Sequence, residues 1–186
     1  MGCPVDFSGL SISYACGELS SGGLKTVYLC DRQDLADSGT VAVAADGVVT
    51  LTVTTDVEAE LTNGLLTLGF NNKDAFSNFT DVKTVNADGS AAAVPTIQLE
   101  FVRMDPAKRT ALEEVATPGA EMVAFVETAA GTYHMVGYDF GLYAGTVDGA
   151  SGASRTDKNR YQLTLVGEEN VLAYTLTSTE WAKIKN

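Results

Sequence analysis

Tyr133–Asn170 reads YHMVGYDFGLYAGTVDGASGASRTDKNRYQLTLVGEEN, and its reading decides the fold class. Tyr133 to Tyr138 has the character of a strand. At the far end Tyr161, Leu163 and Leu165 alternate with Gln162 and Thr164, the two-residue period of a strand with one buried face. Between them, Gly141 to Lys158 is small and polar and reads as a long loop. Loops of that length inside a compact domain are functional or disordered. This one has no basic cluster, no Gly-Lys-Ser/Thr phosphate cradle and no histidine. Assembly with a neighbouring copy explains such a loop better than catalysis does.

Outward from this segment the chain keeps the same strand-rich habit. Gly23 to Cys30 is a strand, followed by one helical turn capped by Asp31. Val41 to Ala44 and Val48 to Thr55 flank Asp46-Gly47, a two-residue hairpin signal. Asn63-Gly64 is a second turn before Leu65 to Phe70, and Phe76 to Val85 runs into the Asn86-Ala87-Asp88-Gly89 turn. In Thr96 to Met104, Ile97, Leu99 and Phe101 alternate with Gln98 and Glu100. Asp105 then supplies an N-cap and Pro106 the first helical position, so a helix is expected over about 105–117. Met122 to Glu127 and Tyr133 to Tyr138 form a hairpin, and Tyr161 to Val166 and Val171 to Leu176 are the last strands. A short terminal helix near Ser178 uses Trp181 and Ile184 as anchors. The expected fold is mainly β: a sandwich or barrel with one flanking helix and long extended loops or arms. Residues 1–22 read as an arm and 23–186 as a single domain.

The 186 residues carry 12 Lys and Arg against 24 Asp and Glu, a net charge of −12. That balance is wrong for gripping phosphates, and suits a surface along which nucleic acid slides, or simply solubility. No apolar run approaches the length of a membrane span. The start, MGCPVD, reads as neither a secretory nor a lipoprotein leader. Three cysteines without close spacing do not suggest a disulfide framework. Cys3, Cys16, Cys30 and His134 match a zinc ligand set in type, but their spacing gives it no support. One histidine removes most triads, and Glu113-Glu114 and Glu168-Glu169 read as an outer helix face and a turn. No catalytic residue, cofactor or metal is expected.

Asp157, Asn159, Tyr161, Leu163, Leu165, Gly167 and Glu169 follow a strand and a Gly-rich turn, and that run resembles a known group. It is similar to structural proteins of tailed phages infecting Bacteroides-type bacteria, most like tail tube (major tail) proteins. GLSISYACGELSSGGLKTVYLCDRQDL near the start resembles the same group, with Gly22-Gly23-Leu24-Lys25 leading into a strand. The middle of the chain matches only in its strand-rich character. The resemblance implies a virion subunit, assembled in the bacterial cytoplasm, that forms stacked hexameric rings around a DNA channel with an acidic lumen. Its partners would be itself and other tail or connector proteins, with DNA passing unbound and no membrane involved. Gln98, Glu100, Gln162 and Thr164 are the candidates for the lumen. Leu10, Ile12, Tyr14, Tyr143, Asp148, Arg155 and Asp157 are the candidates for subunit interfaces. Inter-ring contacts are expected from the Gly141 to Lys158 loop and the N-terminal arm, and segment 56–64 is expected to be flexible. The alternatives are a head–tail connector, a tail terminator or a decoration protein, and then a carbohydrate- or cell-surface-binding sandwich.

Overall fold

Met122–Thr128 (β7) is buried from Met122 to Glu127 on both faces. Only a strand with packing layers on either side holds that pattern. The structure, a computed structural model, describes residues 22–70, 76–154 and 157–185. Leu10, Ile12, Tyr14, Arg155, Cys3, Cys16 and nearly all of the N-terminal arm lie outside the described residues.

On one side β7 pairs antiparallel with Leu24–Asp31 (β1), and β1 with Leu66–Leu68 (β4). On the other it pairs with Tyr133–Val136 (β8), which pairs with Tyr174–Leu176 (β11). Beyond β11 lie Val48–Leu51 (β3), in parallel, and Val41–Val43 (β2). These strands make one leaf, in the order β4-β1-β7-β8-β11-β3-β2. A second leaf holds Asn78–Val85 (β5), Ala91–Val102 (β6), Arg160–Gly167 (β10) and Leu142–Ala150 (β9), in that order. A single pair, Met122↔Leu142, joins the two leaves into one hydrogen-bonded sheet.

Alternation along β7 sorts its side chains into two cores. Met122, Ala124 and Val126 face the four-stranded leaf and meet Ile97, Leu99, Leu163 and Leu165. Pro106–Val115 (α3) closes this core with Leu112 and Val115. Val123 and Phe125 point the other way, toward Arg32–Ser38 (α1), Val57–Glu60 (α2) and Ser178–Trp181 (α4). There they meet Leu35, Val57 and Ile184, each with no exposed surface. Tyr133 stacks on Trp181 at 5.0 Å between ring centroids. The mainly β sandwich and its flanking helix are present, and three short helices add a further layer.

Four expectations are corrected. Gly141 to Lys158 is not one long loop, because Leu142–Ala150 is strand β9, paired along its length with β10. Its small residues hide the pattern because they make room for neighbours. A Cβ on Gly149 would lie 2.9 Å from the Tyr161 ring, and one on Gly145 3.1 Å from Val166. Glycine in a strand marks such close approach. Segment 56–64 contains α2, where Asp56 accepts from Ala59 N at 2.8 Å and Val57 and Leu61 are buried. The last strand is shorter than expected, beginning at Tyr174. Glu169 is more than turn: its backbone exchanges two hydrogen bonds with Ala93, at 2.7 and 2.8 Å.

The chain passes between leaves at Gly137–Gly141. Gly137 has φ +83, and a Cβ there would sit 2.6 Å from Leu142 Cγ and 2.7 Å from the Met122 carbonyl oxygen. Neither neighbour yields, since both belong to the joint between leaves. Gly137→Ala is therefore expected to destabilise the protein by ~2 kcal/mol or more. Gly39 also has positive φ but opens onto free space, so Gly39→Ala should cost only about 1 kcal/mol. Urea unfolding of the two variants checks this difference.

Candidate assembly surface

The strand period places alternate residues of the four-stranded leaf on the face turned away from the core. Cross-strand registers assemble that face row by row. Thr80, Thr96, Val166 and Tyr143 form one row; Asn78, Gln98, Thr164 and Thr146 the next; then Glu100, Gln162 and Asp148. Gln98, Glu100, Gln162, Thr164, Tyr143 and Asp148 thus lie together, although they come from three strands. Threonine and amide side chains in facing pairs suit a solvated sheet face. Asn78 Nδ2 donates to Gln98 Oε1 at 3.0 Å across two strands.

Glu100 departs from the expectation of a lumen-facing group. It has no exposed surface, and Arg160 and Lys158 reach its carboxylate at 2.6 and 3.1 Å. Its backbone N–H donates to Ser77 Oγ at 3.1 Å. A carboxylate in mid-sheet is tolerated only when paired, and the two cations pair with it and cover it. Among the described residues, Asp148 is the exposed carboxylate on this face. The acidity of the chain is therefore not concentrated there.

Among the described residues both edges of this leaf lack a full partner: β5 pairs with β6 alone, and β9 beyond Leu142 pairs with β10 alone. Beside β9, α3 leaves a trough floored by Leu112, Val147 and Tyr161. Tyr143 is 52% exposed and the adjacent Phe140 55%. Asp157 does not lie on the face. Its carboxylate accepts from Ala153 and Ser154 N–H at 2.8 and 2.7 Å, closing the β9–β10 turn. These bonds hold its carboxyl below the usual range.

The titratable groups elsewhere act structurally. Burial pushes the Cys30 thiol up to about 12, so it remains protonated and is a poor metal ligand. Burial lowers the pKa of His134, against the opposing charge of Asp81, and its ring packs 5.7 Å from Phe79. Glu169 accepts from Asp139 and Phe140 N–H at 3.2 and 3.3 Å, steadying the corner between leaves. Sequence reading missed Asn78, Thr80, Thr96 and Thr146 as members of the polar face. The alternation from Asn78 to Thr84 was the available signal.

Arg160→Met should cost about 2–3 kcal/mol, since it leaves the buried Glu100 with a weaker set of partners. Arg160→Lys should recover part of that loss, and thermal unfolding measures both. Burial raises the Glu169 pKa above its ordinary value. Its contribution is then fully present below the ordinary carboxylate pKa and is lost as pH rises through the raised folded value. Relative to Glu169→Gln, the wild type should lose stability between about pH 4 and about pH 7; parallel denaturation curves at both pH values would contradict this.

No family model, curated protein or solved structure matches this chain.

Proposed function

We propose that this protein is a virion structural protein, the tail tube subunit of a tailed phage. Copies stand side by side in a ring, and each four-stranded leaf forms one segment of a shared inner barrel. The observation that carries this reading is the leaf itself. It has a polar face that no described element covers, and incompletely paired strands at both edges. Exposed edges of this kind invite pairing with another chain. Pairing β5 of one copy with β9 of the next satisfies both edges at once, and a closed ring leaves none exposed.

The dimensions agree with a DNA channel. Six copies of four strands, spaced ~4.8 Å and tilted ~40°, close a barrel roughly 50 Å across, wider than a duplex of about 20 Å even after side chains are added. Threonine, asparagine and glutamine on its lining offer hydrogen bonds to water, and Arg160 and Lys158 on that face are held by the Glu100 carboxylate instead of standing free for phosphates. The lumen in this reading is polar and nearly neutral rather than acidic.

Negative-stain electron microscopy across a concentration series is the deciding experiment. Hollow tubes of stacked rings are expected, with amide hydrogen exchange slowed in β5 and in Tyr143 to Ala150 on assembly. Isolated closed rings would favour a connector or terminator, and a monomer at every concentration would sink the reading.

A further inference from the structure

The polar face of the four-stranded leaf is bounded by apolar side chains at both ends. At one end the β5–β6 hairpin outruns its neighbours. Ala93 is still bridged to Glu169, but beyond it Thr84 and Val85 pair only with Ala92 and Ala91. With its turn, the hairpin projects roughly 10 Å. Val85, 70% exposed, lies in that projection but turns to the opposite face, whereas Val82 and Val94, paired with each other at its base, are 57 and 37% exposed on the side of the polar face. The tip is nonetheless firmly built. Asn86 N–H donates to the Ser90 carbonyl at 2.8 Å, and Asp88 Oδ1 accepts from Ser90 N and Oγ at 2.9 and 2.7 Å. A preformed projection with exposed valines is suited to docking, because little order remains to be imposed on contact.

At the opposite end of the same strand, β6 finishes on Val102, 57% exposed. Arg103 follows with φ +69, a conformation few non-glycine residues adopt. Asn159 holds it there: its carbonyl accepts from Arg103 N–H at 2.7 Å, and its side-chain oxygen from Met104 N–H at 2.8 Å. Arg103 is exposed and forms no ion pair among the described residues. One strand thus carries exposed valine toward both ends, with an acid beyond one end and, beyond the other, an exposed cation whose charge also reaches Asp105.

We infer that the hairpin docks head-to-tail on the far end of the same leaf in a second copy, Val82 and Val94 meeting Val102, and Asp88 meeting Arg103. The contact is heterologous, so it does not close on itself and propagates along an axis. Its axial direction rests on the ring reading above. It assigns the ring-to-ring contact to the hairpin instead of the Gly141 to Lys158 segment, half of which is strand β9.

The test compares wild type, Val82→Asp, Arg103→Asp and the charge swap Asp88→Arg with Arg103→Asp, by electron microscopy and sedimentation. All three sites are exposed, and circular dichroism checks that each variant is folded. Both single variants should stop at single rings, with the critical concentration for tubes raised about tenfold or more, and the swap should restore tubes. Wild-type tubes with equally good tubes from Val82→Asp or Arg103→Asp would overturn the inference and leave the ring reading intact. A swap that fails to restore assembly would overturn the Asp88–Arg103 contact. Open filaments without rings, lost in the single variants, would support the inference and sink the ring reading. A wild-type monomer at all concentrations would sink both.

Discussion

The joint between leaves is the constraint on which the rest of the structure depends. The Met122 carbonyl and the Leu142 side chain leave no room for a Cβ at Gly137. Without that approach β8 could not turn into β9, and the sheet would run on as one broad layer. The turn folds the four-stranded leaf back over β7, so that Leu163 and Leu165 bury against Ala124 and Val126. Glu169 supports the same corner from below through the Asp139 and Phe140 amides. Gly141 and Gly167 add close contacts of their own, with Glu121 and Leu142. A backbone requirement confined to a few glycines thereby sets the architecture of both cores.

That architecture distributes cover unequally. The seven-stranded leaf has α1, α2 and α4 on one face and the second leaf on the other. Among the described residues the four-stranded leaf is covered on its inner face alone. A sheet face left open must be polar, and the Thr, Asn and Gln rows meet that condition. Edge strands left open must be blunted or occupied. β9 is partly shielded by α3, whereas β5 carries only scattered charge, at Asp81 and Lys83. Polar lining and exposed edges are distinct properties, and their occurrence on one leaf is what gives the assembly reading its force.

Strands whose inner face is apolar and outer face polar were plain in the sequence, Ile97 to Phe101 and Tyr161 to Leu165 above all. Helix starts were equally legible, because Asp31, Asp105 and Thr177 cap through their own side chains. β9 was not, since its glycines serve Tyr161 and Val166 on a neighbouring strand and carry no pattern of their own. Nor was α2, a single turn whose stability comes from burying Val57 and Leu61 rather than from any helical period. Glu100 misled for a related reason. Alternation places it correctly on the outer face, but only the fold brings Arg160 and Lys158 over it. Periodicity reports which side of a strand a residue occupies and says nothing of what covers that side.

The placement of charge bears on how such a face would work. Many carboxylates gather on the helical layer, at Asp31, Asp34 and Asp37 around α1 and at Asp56, Glu58 and Glu60 around α2. The polar face, by contrast, sets Asp148 and Glu100 against Arg160. In a ring built as proposed, the helices stand outside the shared barrel and carry much of the negative charge to the outer wall. Repulsion there would keep finished tubes apart, while screening over about 8 Å at physiological salt would limit its reach into the lumen. Passage of DNA would then depend on Glu100 neutralising the cations of the lining more than on an acidic field.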